Sequence, residues 1–212
     1  MCFSAHASFG SALFLTGMGI AALSQTRTNN QRLLALIPVL FAVQQTMEGI
    51  IWTTHTNPTN WWATAAPYVF LIIASSWSTI IPVAVWLMEK SRKRAHDMYL
   101  FIGMGVVYTS VAYIALALYP VHAHVTQHIA YTVDTPEHTP YSFLQFWYLI
   151  TITVPPCIAT TRHMRLFGIG TLISFIGSHA WETSHVASIW CFFAALISSL
   201  IVYVLYSNKK VA

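Results

Sequence analysis

The sequence predicts an all-α, polytopic membrane protein with seven transmembrane helices, its N-terminus outside and its C-terminus in the cytoplasm. The first observation is composition: of the 212 residues, 56% are hydrophobic and 8% are charged, which is typical of membrane proteins. The second is a series of seven apolar segments, each near the roughly 20 residues that a helix needs to cross the hydrocarbon core. The third is that all Lys and Arg fall in the connections on one side.

The seven spans form a single predicted domain over residues 1–212. They are expected at residues 8–25, 33–53, 63–88, 98–119, 142–161, 166–181 and 187–207. No Lys or Arg precedes the first span, so it lacks the basic start of a signal peptide and we expect it to be retained. The longest polar connection, 120–141, is rich in histidine and is expected to be an outer loop. Five glycines are expected to mark close helix contacts, namely Gly10, Gly17, Gly103, Gly170 and Gly177.

The basic residues follow spans one, three, five and seven, and none follows the other spans. They are Arg27, Arg32, Lys90, Arg92, Lys93, Arg94, Arg162, Arg165, Lys209 and Lys210. By the positive-inside rule, these connections and the C-terminus are cytoplasmic. An odd number of spans then leaves the N-terminus outside.

The second span carries a polar stripe. At 100° per residue, Gln44, Glu48, Trp52 and His55 fall on one narrow face, with Gln45 beside it. An ionised group at the centre of a lipid-bathed helix costs about 2.5 to 3.5 kcal/mol, so Glu48 is expected to face the bundle interior, a partner or water. An intramembrane ionisable residue indicates a functional site by default. The alternative is that Glu48 is protonated and only joins neighbouring helices by hydrogen bonds.

The predicted outer side combines imidazoles, carboxylates and thiols without Lys or Arg, a set that suits a transition metal such as Zn or Cu. The candidate metal ligands are His6, Glu48, His128, His179 and Glu182. His179, Glu182 and His185 follow one another at i, i+3 steps. An i, i+4 pair, His124 and His128, would share one face of a short interfacial helix. The alternative is that these are ordinary histidines of a polar loop.

Several cofactors and partners are argued against. Because no Lys lies in a span, a retinal Schiff base is excluded. No two helices carry histidines at mid-depth, so haem b is not expected. The sequence has no phosphate-binding glycine loop for a nucleotide, and its basic residues are confined to connections and termini, so we expect no nucleic acid. The expected partners are the lipid bilayer and a metal or small molecule from the outer side; the oligomeric state stays open.

Three motifs are distinctive: the opening Met1-Cys-Phe-Ser-Ala5 followed by Ala7-Ser-Phe9, the Gln44-Gln45-x-x-Glu48-Gly49-x-x-Trp52 segment, and Trp190-Cys-Phe-Phe-Ala194. With them the chain resembles an uncharacterised family of multi-helix bacterial membrane proteins. The resemblance implies a location in the bacterial cytoplasmic (inner) membrane. It also gives weight to a set of possible ligand-binding residues, namely Cys2, Gln44, Gln45, Glu48, Trp52 and Cys191. Since Cys2 and Cys191 share the predicted outer side, they could form a disulfide, although Cys191 could equally be a core residue.

The leading functional hypothesis is a periplasm-facing polar pocket between spans one, two, six and seven, centred on Glu48. It would bind a transition metal or a small polar ligand, with Gln44 and Gln45 orienting the carboxylate and Trp52 shielding it from water. If a metal there kept an open coordination position, it could activate water, and Glu48 would serve as the catalytic base. The second hypothesis is a proton- or ion-coupled carrier or sensor in which Glu48 titrates. The third is an accessory subunit of a larger membrane complex.

Overall fold

The computed structural model describes residues 4–57, 59–161, 163–181 and 186–209. In these residues the chain forms seven helices and one β-hairpin. The helices are α1 (Ala5–Gln25), α2 (Asn29–Thr54), α3 (Trp61–Met88), α4 (Arg92–Leu118), α5 (Tyr141–Ile158), α6 (Met164–Trp181) and α7 (Val186–Lys209). Between α4 and α5 lie strands β1 (Val121–Val125) and β2 (Ile129–Val133), which pair antiparallel. The all-helical class is therefore confirmed, and each predicted span overlaps one helix.

Polar caps decide where several helices begin. The Oγ of Ser4 accepts a hydrogen bond from the backbone N–H of Ala7 at 3.2 Å, so α1 starts before the apolar run does. The Oδ1 of Asn60 accepts from the backbone N–H of Trp62 at 3.1 Å at the start of α3. Ser91 caps α4 in the same way, and this helix therefore begins at Arg92, ahead of the apolar segment predicted from residue 98. Side-chain caps of this kind satisfy the first backbone donors of a helix.

Helices that follow one another in the chain run in opposite directions. In the α1–α2 pair, Phe9 lies against Gly49 and Val39 lies against Gly19. In the α3–α4 pair, the hydroxyls of Thr79 and Thr109 are 2.9 Å apart, and those of Ser76 and Tyr113 are 2.6 Å apart. In each pair the residue numbers rise on one helix as they fall on the other. The bundle is therefore of the up-and-down type.

Two connections meet at one end of this bundle. The backbone N–H of Thr160, between α5 and α6, donates to the Glu89 carboxylate at 2.7 Å, and the Thr161 hydroxyl donates to the carbonyl of Met88 at 3.1 Å. The Nδ1 of His163 lies 3.0 Å from the Ser207 Oγ near the end of α7. We call this the basic end, because the connections bearing the described Lys and Arg lie there. The hairpin lies at the other end, which we call the hairpin end.

Helix α2 lies at the centre, packed against α1, α3 and α7, whereas α4 lies at the edge. On α4 only Met98 and Gly105 are buried, and large apolar side chains such as Leu100 and Leu118 are about two-thirds exposed. A broad apolar surface on a folded chain indicates contact with a membrane or another protein. In length and composition, α1, α2, α3 and α4 are each suited to crossing a membrane.

Close helix contacts occur at other glycines than those predicted. A Cβ on Gly10, Gly17, Gly103 or Gly177 would meet no atom of the described residues within 4 Å, so the prediction is wrong for these four, and Gly170 makes only ordinary contact with Leu200. The tight approaches are at Gly19, Gly49, Gly105 and Gly168. The reason is that a glycine permits close packing only on the face turned toward a neighbour, and the sequence does not show that direction.

A buried glutamine–glutamate cluster in the second helix

Three polar side chains of α2 are removed from solvent. Gln44 and Glu48 are 0% exposed and Gln45 is 1% exposed. Burial of this degree costs free energy unless the polar atoms find hydrogen-bond partners. The partners of each side chain therefore decide what the cluster can do.

Gln44 joins α2 to α3. Its Oε1 accepts a hydrogen bond from the indole Nε1 of Trp77 at 3.0 Å, and its Nε2 donates to the carbonyl of Phe70 at 3.3 Å. Trp77 is itself buried and stacks on Phe41 with ring centroids 4.3 Å apart. The expectation that Gln44 orients the carboxylate does not match these contacts, because both ends of its amide are bound to α3. The helical stripe could not show this, since the direction of a long side chain depends on its neighbours.

Gln45 is the neighbour of the carboxyl group. Its Nε2 donates to the Glu48 Oε2 at 3.0 Å, an i, i+3 contact within α2. Gly49 directly follows Glu48 in the chain. The ring of Phe9 from α1 covers Gly49 so closely that a Cβ added to Gly49 would lie 2.6 Å from the ring. The amide and the carboxyl are thus enclosed at the depth where α1 begins.

Three buried polar atoms of α1 and α2 require further partners. Within the described part of the chain, no hydrogen-bond partner is found for the Gln45 Oε1, the Ser8 Oγ or the Trp52 Nε1. Ser8 is fully buried on α1, directly before Phe9, and Trp52 lies one turn beyond Glu48. Buried polar atoms are nearly always bound to protein, water or ligand. Ser8 was not among the predicted site residues, although a serine in an otherwise apolar helix is a usable signal.

The hairpin covers this end of α2 and α3. Ile129 is fully buried and packs with Met47, Ile51 and Phe70, and Tyr131 stacks on Phe70 with ring centroids 4.4 Å apart. Phe70 is also the residue whose carbonyl binds Gln44. The inner surface of the hairpin therefore lies directly over the cluster.

The expectation of a short helix for His124 and His128 is wrong. The segment is a hairpin in which Val121 pairs with Val133 and Val125 with Ile129. Alternation of apolar residues and histidines over residues 121–125 has the period of a strand, which is the signal that the i, i+4 interpretation overlooked. His122 and His124 project from the exposed face, where the His122 Nε2 lies 3.1 Å from Asp134. Only His128 is buried.

Two of the predicted metal ligands do not share the burial of Glu48. The side chains of His6 and His179 are exposed, and His179 lies parallel to the ring of Phe175 with centroids 6.1 Å apart. His128 belongs to the hairpin turn. Across the ranges that the structure describes, no group of three or more His, Cys, Asp or Glu is placed to hold a metal ion. Metal binding is therefore not supported there.

Four residues discussed in the sequence analysis have side chains outside the described part of the structure. Cys2 and Glu182 lie outside the described residues, and so does His185. Cys191 belongs to α7, but its side chain is not among those described. The disulfide between Cys2 and Cys191 therefore stays a prediction.

Together these features define an all-helical protein with apolar outer surfaces and a buried carboxyl group on its central helix. The chain belongs to the family of unknown function DUF6629, whose model matches residues 1–212. This confirms that an uncharacterised family covers the whole chain. Comparisons with curated proteins and with solved structures gave no significant match.

Proposed function

We propose that this protein is a proton-linked membrane carrier or sensor in which Glu48 binds and releases the proton. The observation that carries the proposal is the fully buried Glu48 carboxyl, which accepts a hydrogen bond from the neutral amide of Gln45. On α2 the nearest basic residue is Arg32, about 24 Å away along the helix axis. Burial away from water disfavours the charged form of a carboxyl group.

The neighbouring polar atoms support a path for the proton. The Ser8 Oγ, Gln45 Oε1 and Trp52 Nε1 lie on α1 and α2 near Glu48 and need partners that the described residues do not supply. Water molecules or a small polar ligand would satisfy them. Glu48 lies about 9 Å from the end of α2 at Thr54, so a short chain of water molecules would connect it to the hairpin end.

The orientation of the bundle is part of the proposal. All seven helices would cross the bacterial cytoplasmic membrane, with the basic end in the cytoplasm and the hairpin end outside. The restriction of Lys and Arg to one end supports this orientation. Glu48 then receives its proton from the outer side, and displacement of the hairpin would open the cluster.

Infrared spectroscopy of the protein in lipid bilayers tests the proposal. The carbonyl stretch of a protonated carboxylic acid is distinct from the bands of a carboxylate, so the protein should show an acid band at neutral pH that disappears as pH rises. Glu48→Gln should remove this band while the protein remains folded, whereas Glu137→Gln, a change at an exposed carboxyl, should retain it. Absence of the band in the wild type, or its survival in Glu48→Gln, would overturn the proposal.

The same titration distinguishes a Glu48 that exchanges its proton from a Glu48 that stays protonated and only joins helices. If Glu48 only joins helices, its acid band will persist until the protein unfolds, and tryptophan fluorescence will not change with pH. If Glu48 exchanges protons, emission from nearby Trp52 will change along the same pH curve, and Glu48→Gln will abolish that change. Metal analysis by mass spectrometry of the untagged wild type and of Glu48→Ala tests the hypothesis of a metal site at Glu48. A near-stoichiometric metal in the wild type that is lost in the variant would support the metal site and overturn the proton-binding role.

A further inference from the structure

A second site, unrelated to Glu48, lies at the basic end. Here the first turns of α4 and α6 meet the end of α5 around a cavity of about 500 Å³ that is open to the surface. Its polar lining consists of Arg94, Thr160, Thr161, His163 and Arg165. The described lining residues include two guanidinium groups and no carboxylate, and the nearby Glu89 carboxylate is already bound to Ser91 and Thr160. The cavity therefore favours an anion.

The two arginines are available to a ligand. In the described portion of the chain, neither forms an ion pair with a carboxylate. Arg94 is half-buried and held in place, because its Nη1 donates to the carbonyl of Ile158 at the end of α5. Arg165 is exposed. One guanidinium is therefore held by the protein and the other is open to solvent.

The wall of the cavity is also fixed by contacts of Glu89 and His163 in which neither arginine takes part. Glu89 directs its carboxylate to the backbone N–H groups of Ser91 and Thr160, at 2.9 and 2.7 Å, and to the Thr160 hydroxyl. His163 has a φ of 62°, in the left-handed region, and its ring is bound to Ser207. These contacts hold the α5–α6 connection against α3 and α7. Helix α6 then starts at Met164 with the positive end of its dipole beside the cavity.

An apolar strip leads away from the cavity along α6. Leu166, Ile169 and Ile173 follow one another at i, i+3 and i+7 and are 46%, 47% and 64% exposed. They share one face of the helix, which begins beside Arg165. A cationic cavity continued by an exposed aliphatic strip matches a phospholipid, with its phosphate at one end and its acyl chain at the other.

We propose that the cavity between α4, α5 and α6 binds the phosphate of an anionic phospholipid, with an acyl chain lying along Leu166, Ile169 and Ile173. Basic sites between helices on the cytoplasmic side are suited to anionic head groups. Arg94 and Arg165 hold the phosphate from two sides. Thr160 and Thr161 line the same cavity, while their hydroxyls donate to Glu89 and to the carbonyl of Met88.

Thermal unfolding of the full chain in detergent tests this site. Short-chain phosphatidylglycerol should raise the unfolding temperature more than phosphatidylcholine with the same acyl chains. Arg165→Gln removes an exposed side chain and should weaken the apparent affinity for phosphatidylglycerol about tenfold, the loss expected for one charge-assisted contact. Lys93→Gln, a change at an exposed basic residue outside the cavity, should keep the wild-type affinity.

Each other result has a definite meaning. Equal effects of the two lipids, or an equal loss in Lys93→Gln, would overturn the site in favour of general charge attraction. If inorganic phosphate stabilises the wild type as much as the anionic lipid does, and Arg165→Gln removes this effect, the cavity binds soluble phosphate and the lipid assignment is wrong. Arg94→Gln is a second variant; if it fails to fold through loss of its contact to Ile158, Arg165→Gln still decides the question.

Discussion

The contact between α3 and α4 gives the clearest test of the packing, because it depends on the absence of a Cβ at Gly105. A Cβ added at Gly105 would lie 2.0 Å from the carbonyl oxygen of Ser78 and 2.7 Å from its carbonyl carbon. Real Cβ atoms do not approach other atoms closer than 3.0 Å. Gly105→Ala must therefore separate the two backbones by about an ångström, since the opposing atoms belong to the main chain.

The size of the effect follows from a matched pair. Alanine is favoured over glycine within a helix by roughly 0.5 to 1 kcal/mol, and this gain applies equally to Gly103→Ala, where the added Cβ meets nothing within 4 Å among the described residues. The difference between the two variants then isolates the cost of overpacking, about 1 to 3 kcal/mol. The separation also strains the hydroxyl pair of Thr79 and Thr109, 2.9 Å apart.

Unfolding of both variants in mixed detergent, followed by circular dichroism, measures the free energy of unfolding. We expect Gly103→Ala to equal or exceed the wild type in stability and Gly105→Ala to fall below it. If the two variants unfold at the same detergent ratio, the α3 and α4 backbones are farther apart than described, and the reasoning is refuted.

Two further predictions concern individual polar side chains. Trp77→Phe keeps an aromatic ring but leaves the Gln44 Oε1 without its donor, so it should lower the free energy of unfolding by about 1 to 3 kcal/mol. Trp61→Phe, a change at an exposed position, should alter the free energy of unfolding little. Equal effects of the two variants would contradict the buried hydrogen bond between Trp77 and Gln44. For Glu89, partial burial acts to raise the carboxyl pKa, but hydrogen bonds from Thr160 and from backbone N–H groups outweigh it and lower the pKa below its ordinary value of 4.5. Its stabilising effect is thus complete above 4.5 and is lost as pH falls through the lowered pKa, so the stability difference between wild type and Glu89→Gln should shrink on acidification. A difference that is independent of pH would show that the charge of Glu89 is not the cause.

The helices were predictable because each depends on local features. Apolar runs of sufficient length and their caps are properties of neighbouring residues, so every predicted span overlaps a helix. The hairpin was missed because residues 120–141 were interpreted by their polarity and histidine content. The alternation of valine, alanine and histidine over residues 121–125 carried the correct signal.

The site was predictable only in part. The free-energy cost of exposing Glu48 to lipid indicated that its side chain is buried, and this argument required no information about its neighbours. The Glu48 side chain is buried in the structure. The partners were not predictable. Gln44 and Gln45 stand side by side in sequence, yet Gln44 is bound to Trp77 on α3 while Gln45 is bound to Glu48.

By itself the sequence determined the helical class, the separation of a basic end from a histidine-bearing end, and the presence of a carboxyl group that must be buried. These follow from chain-local quantities, namely hydropathy, charge and helical period. Only the tertiary structure decided that His6 and His179 are exposed, that the hairpin covers the cluster, and that Arg94 and Arg165 border one cavity. Such features depend on which faces of separate helices meet, and that choice is made by packing between residues far apart in the chain.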